Sequence, residues 1–270
     1  MNRNTMAQTT LRRVNSFLGM AILMLVSTVQ QALAAPSSVT IFGSMQSEVG
    51  CATDFDPGCA ATHLVYDAGD DVWQRAFSIP ASSYVYLAAL NNNLSTLYGA
   101  NATLGGGNIA LNLAAPTSAK FYYDDKSHWV TDNKNSRIVV ASGNFQSELG
   151  CSGDFDPGCL RSWLQDVDGD GIYQFMTTLL PMGNYDAKAA IDESFTENYG
   201  LGGIPNGANI PFTVPFSNAP MLFSFSTTTN VLTINAVSAS VSEPATLALF
   251  ALGFVGIFIS HQRRMRRQST

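Results

Sequence analysis

The sequence predicts an all-β protein built from two tandem antiparallel β-sandwich modules. Three observations carry that expectation: a long internal repeat, strand-like segments at short regular spacing, and a composition poor in charge. The repeat is the strongest. Gly43-Ser44-Met45-Gln46-Ser47-Glu48-Val49-Gly50-Cys51 matches Gly143-Asn144-Phe145-Gln146-Ser147-Glu148-Leu149-Gly150-Cys151 one hundred positions on, and Asp54-Phe55-Asp56-Pro57-Gly58-Cys59 recurs unchanged as Asp154-Phe155-Asp156-Pro157-Gly158-Cys159. After a one-residue insertion, Tyr98-Gly99 matches Tyr199-Gly200 and Asn108-Ile109 matches Asn209-Ile210. Each copy is about 100 residues, the common size of a domain. Within a copy, segments such as Phe121 to Tyr123, Trp129 to Thr131 and Val231 to Ile234 are separated by Asp-Gly, Asn-Gly and Pro turn signals, which reads as a sandwich rather than a βαβ array. Ala187 to Ile191 comes nearest to a helical run. It is read as strand because its counterpart follows Tyr84-Val85-Tyr86, which is rich in β-formers. Charged residues make up only 13% of the chain and glycines number 22, a balance that suits an exported β-protein better than a cytosolic helical one.

The two ends read as addresses. Residues 1–34 contain basic Arg12 and Arg13, an apolar stretch from Phe17 to Val26, and Ala32-Leu33-Ala34 as a small-residue site. They predict a signal helix that signal peptidase removes after Ala34. The modules then occupy 35–136 and 137–240. Residues 241–270 hold Glu243-Pro244-Ala245-Thr246, an apolar run from Leu247 to Ile259, and Arg263, Arg264, Arg266 and Arg267. A short transmembrane helix followed by a basic cluster is a stop-transfer pattern, with the arginines cytoplasmic and the preceding domain outside. This order of parts resembles the PEP-CTERM sorting signal of exopolysaccharide-making Gram-negative bacteria, with Ser242 standing where its first proline usually does. The resemblance implies an exosortase as partner and transient inner-membrane anchoring through the C-terminal helix. Processing would then deliver the protein to the cell envelope, the outer surface or the medium.

Between the two apolar ends, residues 35–242 carry seven basic and nineteen acidic side chains, a net charge of −12. Such a surface repels phosphate backbones and argues against nucleic acid as a partner. Cations and neutral ligands remain.

Four cysteines form two C-x7-C pairs at equivalent places in the repeat. In a chain bound for an oxidising compartment, equivalence of the copies favours Cys51 with Cys59 and Cys151 with Cys159. Zinc fits poorly, because the spacing is too wide for a knuckle and no histidine stands at ligand spacing. Asp166, Asp168, Asp170 and Gly171 match the first half of a calcium loop, but Thr177 stands where a bidentate glutamate belongs. Two readings stand: a hairpin turn capped by Asp side chains, and a weak calcium site. No other cofactor is expected.

No G-x-S-x-G elbow is present, and His63 and His128 are explained by packing on strand faces. Two small sandwiches are also expected to lack the deep cleft that encloses a distorted sugar ring. The expectation is therefore a protein that is not an enzyme. For a carbohydrate-binding module the useful residues are aromatics with flat faces, and the candidates are Trp129, Trp163, Trp73, Tyr98 and Tyr199. Each could equally belong to a core; Tyr98 and Tyr199 sit in loop-like sequence.

The copies resemble the accessory β-modules found in tandem in some bacterial pullulanases, the module class labelled X, number twenty-five. The resemblance rests on Gln146-Ser147-Glu148-Leu149-Gly150-Cys151 and its earlier copy, the Asp-Phe-Asp-Pro-Gly-Cys runs, Trp163-Leu164-Gln165-Asp166-Val167-Asp168-Gly169-Asp170-Gly171, Glu197-Asn198-Tyr199-Gly200 and His128-Trp129-Val130-Thr131-Asp132-Asn133. It implies two immunoglobulin-like sandwiches and a role beside starch-type polysaccharides. Family members usually carry tryptophan where Phe55, Phe155, Phe195 and Leu94 stand, so the resemblance also implies weakened sugar stacking here. The expected function is a secreted, non-catalytic protein that binds α-glucan or exopolysaccharide weakly. The alternative is a structural envelope or biofilm-matrix protein without glycan affinity.

Overall fold

A computed structural model describes residues 35–237. The readings placed on Ala34, Glu243, Pro244, Arg263, Arg264, Arg266 and Arg267 lie outside the described residues. Among the described residues no helix is long and apolar enough to cross a membrane. Apart from three-residue 3-10 turns, the regular structure of the described residues is entirely strand.

In chain order the first copy contains β1 (Val39–Gly43), β2 (Val65–Asp67), β3 (Val72–Ile79), β4 (Ser82–Leu90), β5 (Leu97–Tyr98), β6 (Ile109–Leu113), β7 (Thr117–Tyr123) and β8 (Val130–Asp132). The second contains β9 (Val139–Gly143), β10 (Trp163–Leu164), β11 (Ile172–Thr177), β12 (Gly183–Ile191), β13 (Ser194–Tyr199), β14 (Ile210–Val214), β15 (Met221–Ser226) and β16 (Leu232–Ala236). Each copy is a sandwich of two antiparallel sheets: β1-β4-β5 with β6 on β4, facing β2-β3-β7-β8, and then β10-β9-β12-β13 with β14 on β12, facing β11-β15-β16. Register follows the repeat. Val39 pairs Leu90 and Gly43 pairs Tyr86, just as Val139 pairs Ile191 and Gly143 pairs Ala187.

Alternation along the strands builds each core. In the first copy Ile41 and Tyr86 face Phe121, Tyr123 and Val130, and the Tyr86 ring meets Phe121 edge-on with centroids 5.0 Å apart. In the second, Phe145 gathers Phe212 and Phe223 at 5.5 and 5.2 Å. Gly143 permits this close approach, since a β-carbon there would lie 2.3 Å from the Asp186 carbonyl and 2.5 Å from the Phe145 ring. Ala187 to Ile191 forms the end of β12, the central strand of its sheet, as the repeat suggested.

A third buried layer joins the two sandwiches. Phe121 and Tyr123 point into the first core, so Tyr122 between them points out, yet it is only 1% exposed. Val72 and Trp129 lie buried beside it, and all three belong to the apolar cluster of the second copy. Opposite them stand Val140, Leu160 and Trp163. The Trp163 ring lies 4.9 Å from Trp129 and 5.6 Å from Tyr122. Polar contacts rim the layer. Arg161 donates from Nε to the Gly69 carbonyl and from Nη2 to the Ala68 carbonyl, each at 2.7 Å. The Leu160 amide donates to Asp70 Oδ1 at 3.0 Å. Lys120 Nζ lies 2.7 Å from Glu193 Oε2, and the Tyr122 hydroxyl donates to Glu193 Oε1 at 2.5 Å. Burial and that carboxylate push the Tyr122 hydroxyl far above its usual range.

The connecting segment is held as well. Buried Asp132 accepts from the amides of Lys134 and Asn135 at 2.7 and 2.9 Å, and from the Tyr86 hydroxyl at 2.7 Å. Pro36 to Val237 accordingly lie within one compact unit.

Candidate functional site

In both copies the segment after the first strand is tied back by a disulfide, Cys51–Cys59 and Cys151–Cys159. No free cysteine is present among the described residues. Inside each loop a fully buried glutamine fixes the backbone. Gln146 Oε1 accepts from the Asp156 amide at 2.8 Å and from the Gly143 amide at 3.3 Å, while Nε2 donates to the Asp156 carbonyl at 2.9 Å and to Ser162 Oγ at 3.1 Å. Gln46 repeats the pattern with Asp56, Gly43 and Thr62. At the loop apex an aromatic residue stands in left-handed backbone, Phe55 at φ 55° and Phe155 at φ 52°. That conformation costs an L-residue about 1–2 kcal/mol. It persists where the surroundings impose it, as often happens at binding clamps. Phe55 is 44% exposed, with one edge against Phe42 at 5.4 Å.

The loop depends on its cystine for closure. Replacing Cys51 and Cys59 together by serine is expected to lower stability by about 2.5 kcal/mol, the chain-entropy value for a loop of this length. Urea denaturation of the oxidised protein and the double variant measures it.

The five aromatic candidates fall into two groups. Trp129 and Trp163 are 5% and 3% exposed in the layer between the sandwiches. Their ring faces are occupied by each other and by Tyr122, so stacking on a sugar is closed to them. Trp73, Tyr98 and Tyr199 are half-buried. Trp73 packs on Tyr66 at 5.4 Å, Tyr98 stacks on His128 at 4.2 Å, and Tyr199 packs on Phe225 at 6.0 Å with its hydroxyl donating to Glu197 Oε1. Of the four positions where tryptophan is usual, Phe55, Leu94 and Phe195 are exposed, at 44%, 60% and 37%, and Phe155 is half-buried. Beside Phe195, on β13, Asn198 is only 7% exposed. Its Nδ2 donates to the Phe195 carbonyl and to Asn206 Oδ1, each at 2.8 Å, and its own Oδ1 has no partner among the described residues.

In the second copy, carboxylate oxygens of Asp166, Asp168 and Asp170 lie within 4.8 Å of one another. Two of the three carboxylates already cap the turn. Asp166 Oδ2 accepts from the Gly171 amide at 3.1 Å and Asp170 Oδ1 from the Ile172 amide at 2.7 Å, while Gly169 and Gly171 take φ of 74° and 85°. Burial raises the Asp166 carboxyl despite these hydrogen bonds. Asp side chains at such positions bond backbone amides two or more residues on, and Asp166 Oδ1 is buried with no partner among the described residues. Calorimetry with millimolar calcium is expected to show no heat; a saturable signal would assign the loop to a cation.

Where the sandwiches meet lies a cleft of about 560 Å³, lined from the first copy by Asp71, Asp124 and Lys126 and from the second by Trp163, Gln174 and Met176. It forms because the interface brings the outer row of β11 opposite the β7–β8 turn. The interface residues Arg161, Lys120 and Glu193 were not singled out from the sequence at all.

The fold and cystine loops define a class of tandem, disulfide-pinned β-sandwich modules. The chain belongs to the pullulanase X25 domain family, whose model matches residues 38–130 and 138–232. A PEP-CTERM protein-sorting motif matches residues 240–264, which implies exosortase processing. Among curated proteins, an amylopullulanase of Thermoanaerobacter thermohydrosulfuricus is 27% identical over 206 residues, covering 74% of this chain and 14% of the relative. An amylopullulanase of Thermoanaerobacterium saccharolyticum is 29% identical over 163 residues, covering 58% of this chain and 12% of that one. The chain thus spans about a seventh of these relatives or less. A pullulanase from Bacillus acidopullulyticus of known structure aligns over 74% of this chain and 28% of its own, at 14% identity and a TM-score of 0.34.

Proposed function

We propose that this is an exported, surface-sorted, non-catalytic protein whose modules bind a neutral polysaccharide, α-glucan or exopolysaccharide, through the cystine-loop side of each sandwich. The observation that carries the reading is the doubly tethered loop holding Phe55 or Phe155 in a costly backbone conformation, in both copies. Phe195 and the buried Asn198 Oδ1, which lacks a partner among the described residues, stand at the other end of β12 and form a separate apolar and acceptor pair in the second copy. A sugar ring offers the complementary pair, an axial C–H face and hydroxyl donors. Phenylalanine in place of tryptophan presents less area, which is consistent with weak binding. The family relationship supports a carbohydrate-associated role, and the sorting motif supports delivery to the envelope or outer surface after transient membrane anchoring and exosortase processing.

The purified protein is expected to be retarded on an amylose column. Phe155→Ala with Phe195→Ala should weaken that retardation by several fold, without change in melting temperature beyond about 2–4 °C. The second reading is a matrix protein without glycan affinity, and one observation favours it: two of the three tryptophans are consumed by the module interface. Elution with the void on every glucan and on the native exopolysaccharide would establish that reading instead.

A further inference from the structure

The cleft between the sandwiches has a chemical character that narrows what it can hold. Its volume of about 560 Å³ falls in the range of small-molecule sites, ~300–1,000 Å³. Four charged side chains line it, and they satisfy one another or the backbone. Lys126 Nζ lies 2.9 Å from Asp124 Oδ1 and 3.3 Å from Asp71 Oδ2. Arg161 uses Nε, Nη1 and Nη2 on the carbonyls of Gly69, Leu149 and Ala68 at 2.7, 3.3 and 2.7 Å. Two cations and two anions cancel. A phosphate or carboxylate therefore meets no unengaged cation, and a metal ion meets no unengaged carboxylate pair.

What remains is neutral. Gln174 and Met176 are exposed on the outward row of β11, the latter 64% exposed. Trp163 lines the same cleft, 3% exposed, and its indole N–H has no acceptor among the described residues. A nearly buried donor without a partner is a costly arrangement that an incoming acceptor or an ordered water relieves. Neutral amide, polarizable thioether and indole together suit a ligand with hydroxyl groups and apolar C–H faces.

We propose that this inter-module cleft is a second glycan site, which takes a short neutral oligosaccharide and is formed only by both copies together. The proposal rests on the carbohydrate-binding reading above and places a distinct site within it. It also gives the tight docking of the sandwiches a role, because neither copy alone possesses both walls.

The test is a titration of the purified protein with maltohexaose, read by tryptophan fluorescence and isothermal calorimetry. Three proteins are compared: wild type, Gln174→Ala with Met176→Asp, and Phe155→Ala with Phe195→Ala. The cleft residues changed are exposed on β11, and an unchanged melting curve verifies that their variant is folded. The proposal expects the cleft variant to lose at least tenfold in affinity and to lose the fluorescence change, while the loop variant keeps that change. If the cleft variant binds like wild type and only the loop variant loses affinity, the cleft site is overturned and the loop reading survives. If no protein binds maltohexaose or a fragment of the native exopolysaccharide, both fall.

Discussion

Replacing Trp163 by alanine is expected to cost about 3–5 kcal/mol, the range for deleting a large buried aromatic side chain, and to split one melting transition into two. The indole is 3% exposed and touches both Trp129 and Tyr122 across the interface. Its removal leaves a cavity that Val72 and Val140 are too short to fill. The cores of the two sandwiches are separately complete, one around Phe121 and Tyr123, the other around Phe145 and Phe223. What the variant loses is the coupling between them. Differential scanning calorimetry distinguishes the outcomes: wild type melts once, and Trp163→Ala melts in two steps with the first shifted down. An unchanged single transition would mean that the buried layer contributes little to joining the copies. Leu160 and Arg161 support the same junction, so Arg161→Ala should weaken it in the same direction by a smaller amount.

The sandwiches themselves were legible in the sequence because a strand's faces alternate with period two and the repeat doubles every signal. The cystine pairing was legible for the same reason. The interface was harder to see, because alternation reports which side of a sheet a residue takes and not what covers that side. Trp129 and Trp163 therefore looked as suitable for sugar stacking as for a core. A signal was nonetheless present. In β7 the run Phe121-Tyr122-Tyr123 is aromatic on both faces, whereas its counterpart in β15 reads Phe223-Ser224-Phe225 and alternates cleanly. The registers place Ser224 where Tyr122 stands, each opposite a glutamine, Gln174 or Gln74.

The other wall shows the converse difference. Val140, Leu160, Arg161 and Trp163 correspond to Thr40, Ala60, Ala61 and His63 in the first copy. Each copy is apolar on the one face that docks and small or polar on the face that does not. Comparing the copies position by position, rather than only noting where they agree, locates the interface. The cleft was not legible in this way, since it follows from the angle at which the copies meet.

Substituting Gln146 by leucine is expected to destabilise the second sandwich by about 3 kcal/mol while its disulfide stays closed. Leucine fills most of the same volume, so the loss is not a cavity effect. It leaves the buried Gly143 amide and the half-buried Asp156 amide and carbonyl without their side-chain partner, and a buried unsatisfied group costs about 1–3 kcal/mol. The loop would relax the left-handed Phe155, so glycan affinity should fall with stability even though no candidate contact residue has changed.

Gln146→Glu separates hydrogen bonding from packing. A carboxylate at this fully buried position accepts from Asp156 but cannot donate to its carbonyl, and burial raises its folded pKa above the unfolded value of about 4.3. The folded variant then binds a proton in a pH range where the unfolded chain does not. Stability relative to wild type must therefore rise as pH falls from 7 through the folded pKa, and level off below about 4.3. Urea midpoints measured from pH 7 to pH 4 follow this directly. A gap from wild type that stays constant across that range would show that the glutamine acts through its shape, and that the loop is positioned by the cystine alone.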